Sequence, residues 1–204
     1  MAHGIFITFE GGEGSGKSTH IRAAARFFKK KGRSVLLVRE PGSTAVSEDI
    51  RQVLLNSKHK GMSKQAELLL YLAARAELVH KRILPALQAG KVVISDRYED
   101  STFAYQGFGD GISIKTIENI SQFVRGKLKP DLTFILDVHP KIGLKRAGRR
   151  DRVEKKSDAF HLRVREGFQK LAQKNFKRIV FVRSDISLSE VRDVILRNLR
   201  EIYR

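Results

Sequence analysis

The chain has 204 residues, 41% of them apolar, enough for a single domain with a proper core. It contains no cysteine, which excludes disulfides and thiol chemistry. Its histidines at 3, 20, 59, 80, 139 and 161 show no metal-ligand spacing, so Asp, Glu, Arg, Lys and a bound ion are left to carry catalysis. A formal charge of +18 would attract polyanions non-specifically, but the basic residues are spread along the chain in clusters such as Lys29 to Lys31 and Arg146 to Lys156, and most are expected on a solvated face. No run is long enough to span a bilayer and no start resembles a signal peptide, so a soluble cytoplasmic protein is expected.

Ile5, Phe6, Ile7 and Phe9 form a short apolar run suited to a buried strand. The loop that follows, Gly11-Gly12-Glu13-Gly14-Ser15-Gly16-Lys17-Ser18-Thr19, matches G-x-x-x-x-G-K-[ST] through Gly11, Gly16, Lys17 and Ser18. After it, Lys17 to Lys31 carries Ile21, Ala24, Ala25 and Phe28 at helical spacing. Strand, loop and helix together make a phosphate-binding loop. Its glycines let successive N–H groups turn inward, and the helix N-terminus adds partial positive charge. Such a loop binds an NTP, with Lys17 reaching the β- and γ-phosphates and the Ser18 hydroxyl on Mg²⁺.

Further strand-like runs at Ser34 to Val38, Lys91 to Ser95, Leu132 to Val138 and Ile179 to Val182 alternate with helical stretches. This predicts an α/β fold of three layers, a five-stranded parallel sheet flanked by helices, as in P-loop NTPases, with ligands beyond the carboxyl ends of the strands. One domain, 1–204, is expected.

The second strand ends at Arg39-Glu40-Pro41-Gly42, a turn that leaves Arg39 and Glu40 at the site edge. A short helical pattern then carries Arg51. Ser63 to Leu87 reads as one long helix with Ser63 as N-cap, closed by Pro85 and Gly90. From Leu68 to Val79 it is apolar nearly all round, and Arg75 is the exception. Tyr71 and Arg75, four apart, offer an aromatic plane beside a forked donor, although a lone aromatic there is more often core.

The third strand ends in Asp96-Arg97-Tyr98. An acid there is placed to hold Mg²⁺, and the arginine to grip a phosphate. Thr102, Tyr105 and Gln106 recur on one helical face and suggest sugar or base recognition. Asp137 is a second acid at a strand end. The segment 146–157 holds Arg146, Arg149, Arg150 and Arg152 around Gly148 and reads as a mobile lid placing an arginine on the transferring phosphoryl. Asp158 to Asn175 and Ser187 to Tyr203 read as amphipathic helices with structural roles.

Taken together, these motifs resemble the thymidylate kinase family of nucleoside monophosphate kinases. The resemblance rests on Glu10 to Ser18, Arg39 to Gly42, Ala73 to Arg75, Asp96 to Tyr98, Ser101 to Gly107, Pro130 to Asp137 and Asp151-Arg152. It implies transfer of the γ-phosphoryl of Mg·ATP to dTMP, giving dTDP. By that similarity Tyr71 stacks on thymine, Arg75 bonds the pyrimidine edge, and Arg97 binds the dTMP phosphate with Arg39 and Arg51 nearby. Thr102 and Gln106 complete base recognition; Glu40 and Pro41 border the acceptor. Tyr105 lies under the deoxyribose, and Glu13 marks the subclass whose catalytic basic residue comes from the lid, here Arg149, Arg150 or Arg152. A homodimer is implied, with no membrane partner and no specific nucleic acid. Ser43 departs from the resemblance, standing where a second glycine is usual, and Tyr71 stands where Phe is usual. Two other readings fit parts of the sequence: a deoxynucleoside kinase, in which Glu40 would serve as base, and an NTPase driven by nucleic acid, motivated by the charge.

Overall fold

The computed structural model describes residues 4–148 and 151–203. In chain order it runs β1 (Ile5–Glu10), α1 (Lys17–Lys30), β2 (Val35–Arg39), α2 (Ala45–Leu55) and α3 (Lys64–Leu78), then α4 (Leu84–Gln88), β3 (Val92–Asp96), α5 (Glu99–Thr102) and α6 (Ile114–Arg125). It ends with β4 (Leu132–Asp137), α7 (Pro140–Ala147), α8 (Asp158–Lys174), β5 (Ile179–Arg183) and α9 (Leu188–Ile202). The strands form one sheet of order β2-β3-β1-β4-β5 with every pair parallel. Each expected strand is present, displaced by a residue or so at its ends.

Alternation along β1 divides the core. Ile7 and Phe9 pack with Ile21 and Phe28 of α1 and with Val191, Ile195 and Leu199 of α9 on one face. Phe6 packs with Leu78, Val93 and Tyr98 on the other. Ile135 and Ile179 meet Phe160, Val164 and Phe168 of α8 on that same second face. Each such side chain, fully buried, contributes about 1.5–3 kcal/mol. Ser63 and Ser187 cap α3 and α9, the latter as a capping box with Glu190.

The long helix differs from its expectation. A π turn, Val79–Ile83, separates α3 from α4, and Pro85 falls in the first turn of α4 rather than ending the helix. Proline has no N–H to give the preceding turn, and the wider turn accommodates that loss. Gly90, at φ 71°, makes the exit. Phe103–Gly109 is likewise a π segment continuing α5, so Thr102, Tyr105 and Gln106 are gathered by a widened helix.

Candidate active site

The phosphate-binding loop leaves β1 and enters α1 through Gly16, at φ 88°. No side chain caps that helix and its first turn holds no acid, so the N-terminal N–H groups stay open to an anion. Lys17 folds back over the loop, its Nζ donating to the carbonyls of Gly12 at 2.8 Å and Gly11 at 3.2 Å. Burial pushes its ammonium down to about 8, with Arg97 adding to that and Asp96, Glu13 and Glu10 opposing it. Ser15 anchors the loop by donating to the Gly12 carbonyl at 2.8 Å. Ser18 and Thr19 are exposed on the first turn of α1. A Cβ at Gly14 would stand 2.1 Å from the Gly143 carbonyl oxygen, so the loop can lie on α7 only as bare backbone.

Register brings the third strand end to this loop. Phe9 pairs with Asp96, and the Arg97 N–H donates to the Phe9 carbonyl at 2.9 Å. Arg97 has φ 70°, a left-handed conformation unusual for a residue with a Cβ. The turn is held by Glu10, wholly buried at the tip of β1, which accepts from the Tyr98 N–H at 2.8 Å and from the Ser101 hydroxyl. Burial pushes Glu10 up to about 8, with Asp100 adding to it. So directed, the Arg97 guanidinium donates to the Gly11 carbonyl at 2.9 Å, to Ser101 at 3.1 Å and to Glu13 at 2.9 Å. It lies 5.0 Å from the centre of the Tyr105 ring. The Tyr105 hydroxyl is 2.8 and 2.9 Å from the two Glu13 oxygens. Burial opposes ionisation of Glu13, but Arg97, Lys17 and this hydrogen bond outweigh it and hold the carboxyl below its usual range.

A cavity of about 260 Å³ opens from this cluster and is lined by Glu13, Lys17 and Arg97 at one end and by Tyr71, Arg75, Thr102 and Gln106 at the other. Arg75 is 2% exposed and donates through Nε and Nη2 to one oxygen of Glu40, at 2.8 and 2.6 Å, and through Nη2 to Thr102 at 2.8 Å. Its third nitrogen, Nη1, is buried without a partner among the described residues. Burial pushes the Glu40 carboxyl up, against the pull of Arg75. Arg75 holds one oxygen of Glu40, and the other is buried without a partner among the described residues. Pro41, joined to Glu40 by a cis peptide bond, lines the same wall, and Arg51 reaches in beside it, donating to the Pro41 carbonyl at 2.8 Å.

Not every expected residue converges there. Arg39 stands half-exposed outside the cavity and pairs with Glu48 at 2.8 Å. Ser43, in place of the usual glycine, adopts φ 74°. Its hydroxyl accepts from the Arg39 N–H at 2.9 Å and its N–H donates to Glu48 at 2.7 Å, local bonds that hold an otherwise unfavourable backbone. Asp96 is partly exposed at the end of β3, whereas Asp137 is taken by Arg165 at 2.8 and 2.7 Å.

In the lid segment, Arg146 belongs to α7 and donates to the Ser184 carbonyl at 3.2 Å. Arg149 and Arg150 lie outside the described residues. From Asp151 on, the segment is docked rather than free. Val153 is buried in the cluster around α8, and Arg152 donates to the Leu54 carbonyl at 2.7 Å and pairs with Glu67 at 2.6 Å. Arg152 therefore does not line the cavity, although Asp151, Val153 and Glu154 do.

Sequence reasoning assigned no role to Glu10, Glu67 and Gly143. An acid closing an apolar strand is the signal that marked Asp96 and Asp137, and it applies equally to Glu10. Glu67 is, like Arg75, a charge on a largely apolar helix. Gly143 carries no local signal, since its need for a bare backbone arises only from the Glu13 carbonyl, 2.2 Å from where its Cβ would be.

A five-stranded parallel sheet with a glycine-rich loop running from β1 into α1 defines a P-loop nucleotide-binding protein. The thymidylate kinase family model matches residues 9–195. Thymidylate kinase of Protochlamydia amoebophila (strain UWE25) is 44% identical, over 97% of this chain and 93% of the relative. That of Synechococcus sp. (strain JA-2-3B'a(2-13)) is 46% identical, over 92% and 90% respectively. The crystal structure of thymidylate kinase from Ehrlichia chaffeensis superposes with a TM-score of 0.80 at 35% identity, covering 97% of this chain and 99% of that one. The chain belongs to the thymidylate kinase family. Among the described residues no helix is long and apolar enough to cross a membrane.

Proposed function

We propose that the chain transfers the γ-phosphoryl of ATP to dTMP, giving ADP and dTDP, in the cytoplasm. The observation that carries this reading is the two-ended cavity, with Lys17 and Arg97 at the phosphate end and Arg75, Thr102 and Gln106 at the base end. An oxygen of the dTMP phosphate attacks the γ-phosphorus as the bond to the β–γ bridging oxygen breaks. This chemistry calls for positioning and charge stabilisation more than for a strong base.

Arg97 aligns the acceptor phosphate and Arg51 borders it. The loop from Gly11 to Thr19, with Lys17, holds the donor, and a lid arginine, Arg149, Arg150 or Arg152, meets the transferring group. In the third case Arg152 must leave Glu67 first. Tyr71 stacks on the base, while Tyr105 and Glu13 border the sugar. The oxygen donors of Ser18 and Asp96 fit Mg²⁺, which takes few protein ligands beside phosphate oxygens. When bound with ATP, it neutralises phosphate charge.

Turnover is read as ADP release with Mg·ATP against dTMP, dUMP, CMP, AMP, thymidine and single-stranded DNA. Stimulation by dTMP above the other acceptors supports the reading; stimulation by thymidine or DNA without dTMP overturns it. A homodimer is proposed as well, supported by the exposed apolar Val46 and Val53, two turns apart on α2, and Leu69 on the neighbouring α3. The double variant V53D/L69D is expected to run as a monomer by light scattering, and an unchanged mass would place any dimer contact elsewhere.

A further inference from the structure

Glu67 is outside every motif used above, yet it is 2% exposed and its carboxylate is bonded to three side chains from two separate segments. It enters from the first turn of α3, behind the Ser63 cap. Its Oε1 accepts from Gln106 Nε2 at 3.0 Å and from Lys156 Nζ at 3.1 Å, and its Oε2 pairs with Arg152 Nη1 at 2.6 Å. Lys156 continues to Asp110 at 3.0 Å and lies 4.4 Å from the Phe160 ring centre. Burial opposes ionisation of Glu67, but Lys156 and Arg152 outweigh it and keep the group charged.

We propose that Glu67 is a positioning residue with two tasks, fixing the direction of the Gln106 amide at the base end of the cavity and latching the Asp151–Lys156 segment over it. This rests on the thymidylate kinase reading and deepens it. An ionised carboxylate can only accept, so the Gln106 end facing it must be the NH₂ group. The carbonyl end is then left for the cavity that Gln106 lines, and no hydrogen bond among the described residues reaches that oxygen.

Thymine and uracil carry an N3–H, which an acceptor satisfies. Cytosine offers a lone pair at N3 and repels the same oxygen. Arg75, which lines the same cavity, carries only donors, suited to a 4-oxo group and opposed to a 4-amino group. Discrimination between the two pyrimidine classes thus depends on a carboxylate in the layer behind the one touching the base.

The test is E67Q, assayed with dTMP and dCMP at saturating Mg·ATP. A glutamine can present either donor or acceptor to Gln106, which frees the amide to flip. The ratio of kcat/KM for dTMP over dCMP is expected to fall about tenfold or more, with KM for ATP unchanged. A parallel loss on both acceptors, leaving the ratio intact, would mean a merely structural role and overturn the proposal. Failure of wild-type protein to phosphorylate dTMP would instead overturn the functional reading beneath it.

If E67Q does not fold, K156M carries the test, because it keeps the Glu67–Gln106 bond and removes one tie to the segment. Tryptic cleavage after Arg152 and Lys155 is expected to accelerate about tenfold while the acceptor ratio is preserved. Unchanged cleavage, or a collapsed ratio, contradicts the latch.

Discussion

At the phosphate end of the cavity, Glu13 and Lys17 come from one short loop, and Arg97 from the strand registered directly beside it. At the base end, Arg75 comes from one helix and Thr102 and Gln106 from another, joined by side chains, with Arg75 and Thr102 27 positions apart and Glu67 and Gln106 39 apart. The first end is made largely by backbone, through an open helix terminus, bare glycine contacts and a left-handed arginine held by Glu10. The second is made by buried ion pairs, each of which must be complete to be tolerable. The two ends should therefore fail differently when a residue is removed, the first losing activity and the second losing both activity and stability.

The largest expected effect is R97A. Losing the charge proposed to align the acceptor phosphate should lower kcat/KM for dTMP by about 10²–10³, while ATP binding, measured by calorimetry, is kept. Wild-type-like kinetics would remove Arg97 from the site. At the other end, R75M strands Glu40 in the core and is expected to cost about 3–5 kcal/mol in urea unfolding. The sign with pH follows from Glu40, whose carboxyl burial already pushes up. Such a group favours the fold below its unfolded pKa and loses that contribution as pH rises, so R75M should be hurt more in alkali than in acid. A uniform deficit at all pH values would separate Glu40 from the effect.

Between the two ends, Y105A removes the ring beneath Arg97 and the hydroxyl bonded to Glu13. It is expected to relax selection against ribonucleotide acceptors by about tenfold, and unchanged selectivity would refute its sugar-reading role. The smallest effect belongs to Glu10. Its folded pKa of about 8 exceeds the ordinary 4.5, so its contribution to stability is complete below about 4.5 and lost as pH rises through about 8. In E10Q the decline of melting temperature across that window should be shallower than in the wild type. An identical slope would show that Glu10 is not the group titrating.

The same contrast decides what the sequence makes legible. Lys17, Ser18, Asp96 and Arg97 follow strand ends, where apolar periodicity stops and a local rule points to chemistry, and the five strands and their parallel pairing follow from the same periodicity, though their order β2-β3-β1-β4-β5 does not. Arg75 was visible as a charge on an apolar helix, but its tie to Glu40 was not, since nothing local joins Arg39–Gly42 to the long helix. The π turns were hidden because Pro85 marks a disturbance without saying whether the helix ends or widens. Arg39 and Arg152 show the reverse case, in which an arginine in a suggestive motif is claimed by a nearer carboxylate, Glu48 or Glu67.

The most direct test of the two-ended cavity follows the label from γ-³²P-ATP. Incubated with Mg²⁺ and dTMP, the wild-type chain is expected to yield labelled dTDP, with R97A and R75M each defective. Label absent from dTDP, or released only as inorganic phosphate, would contradict the account.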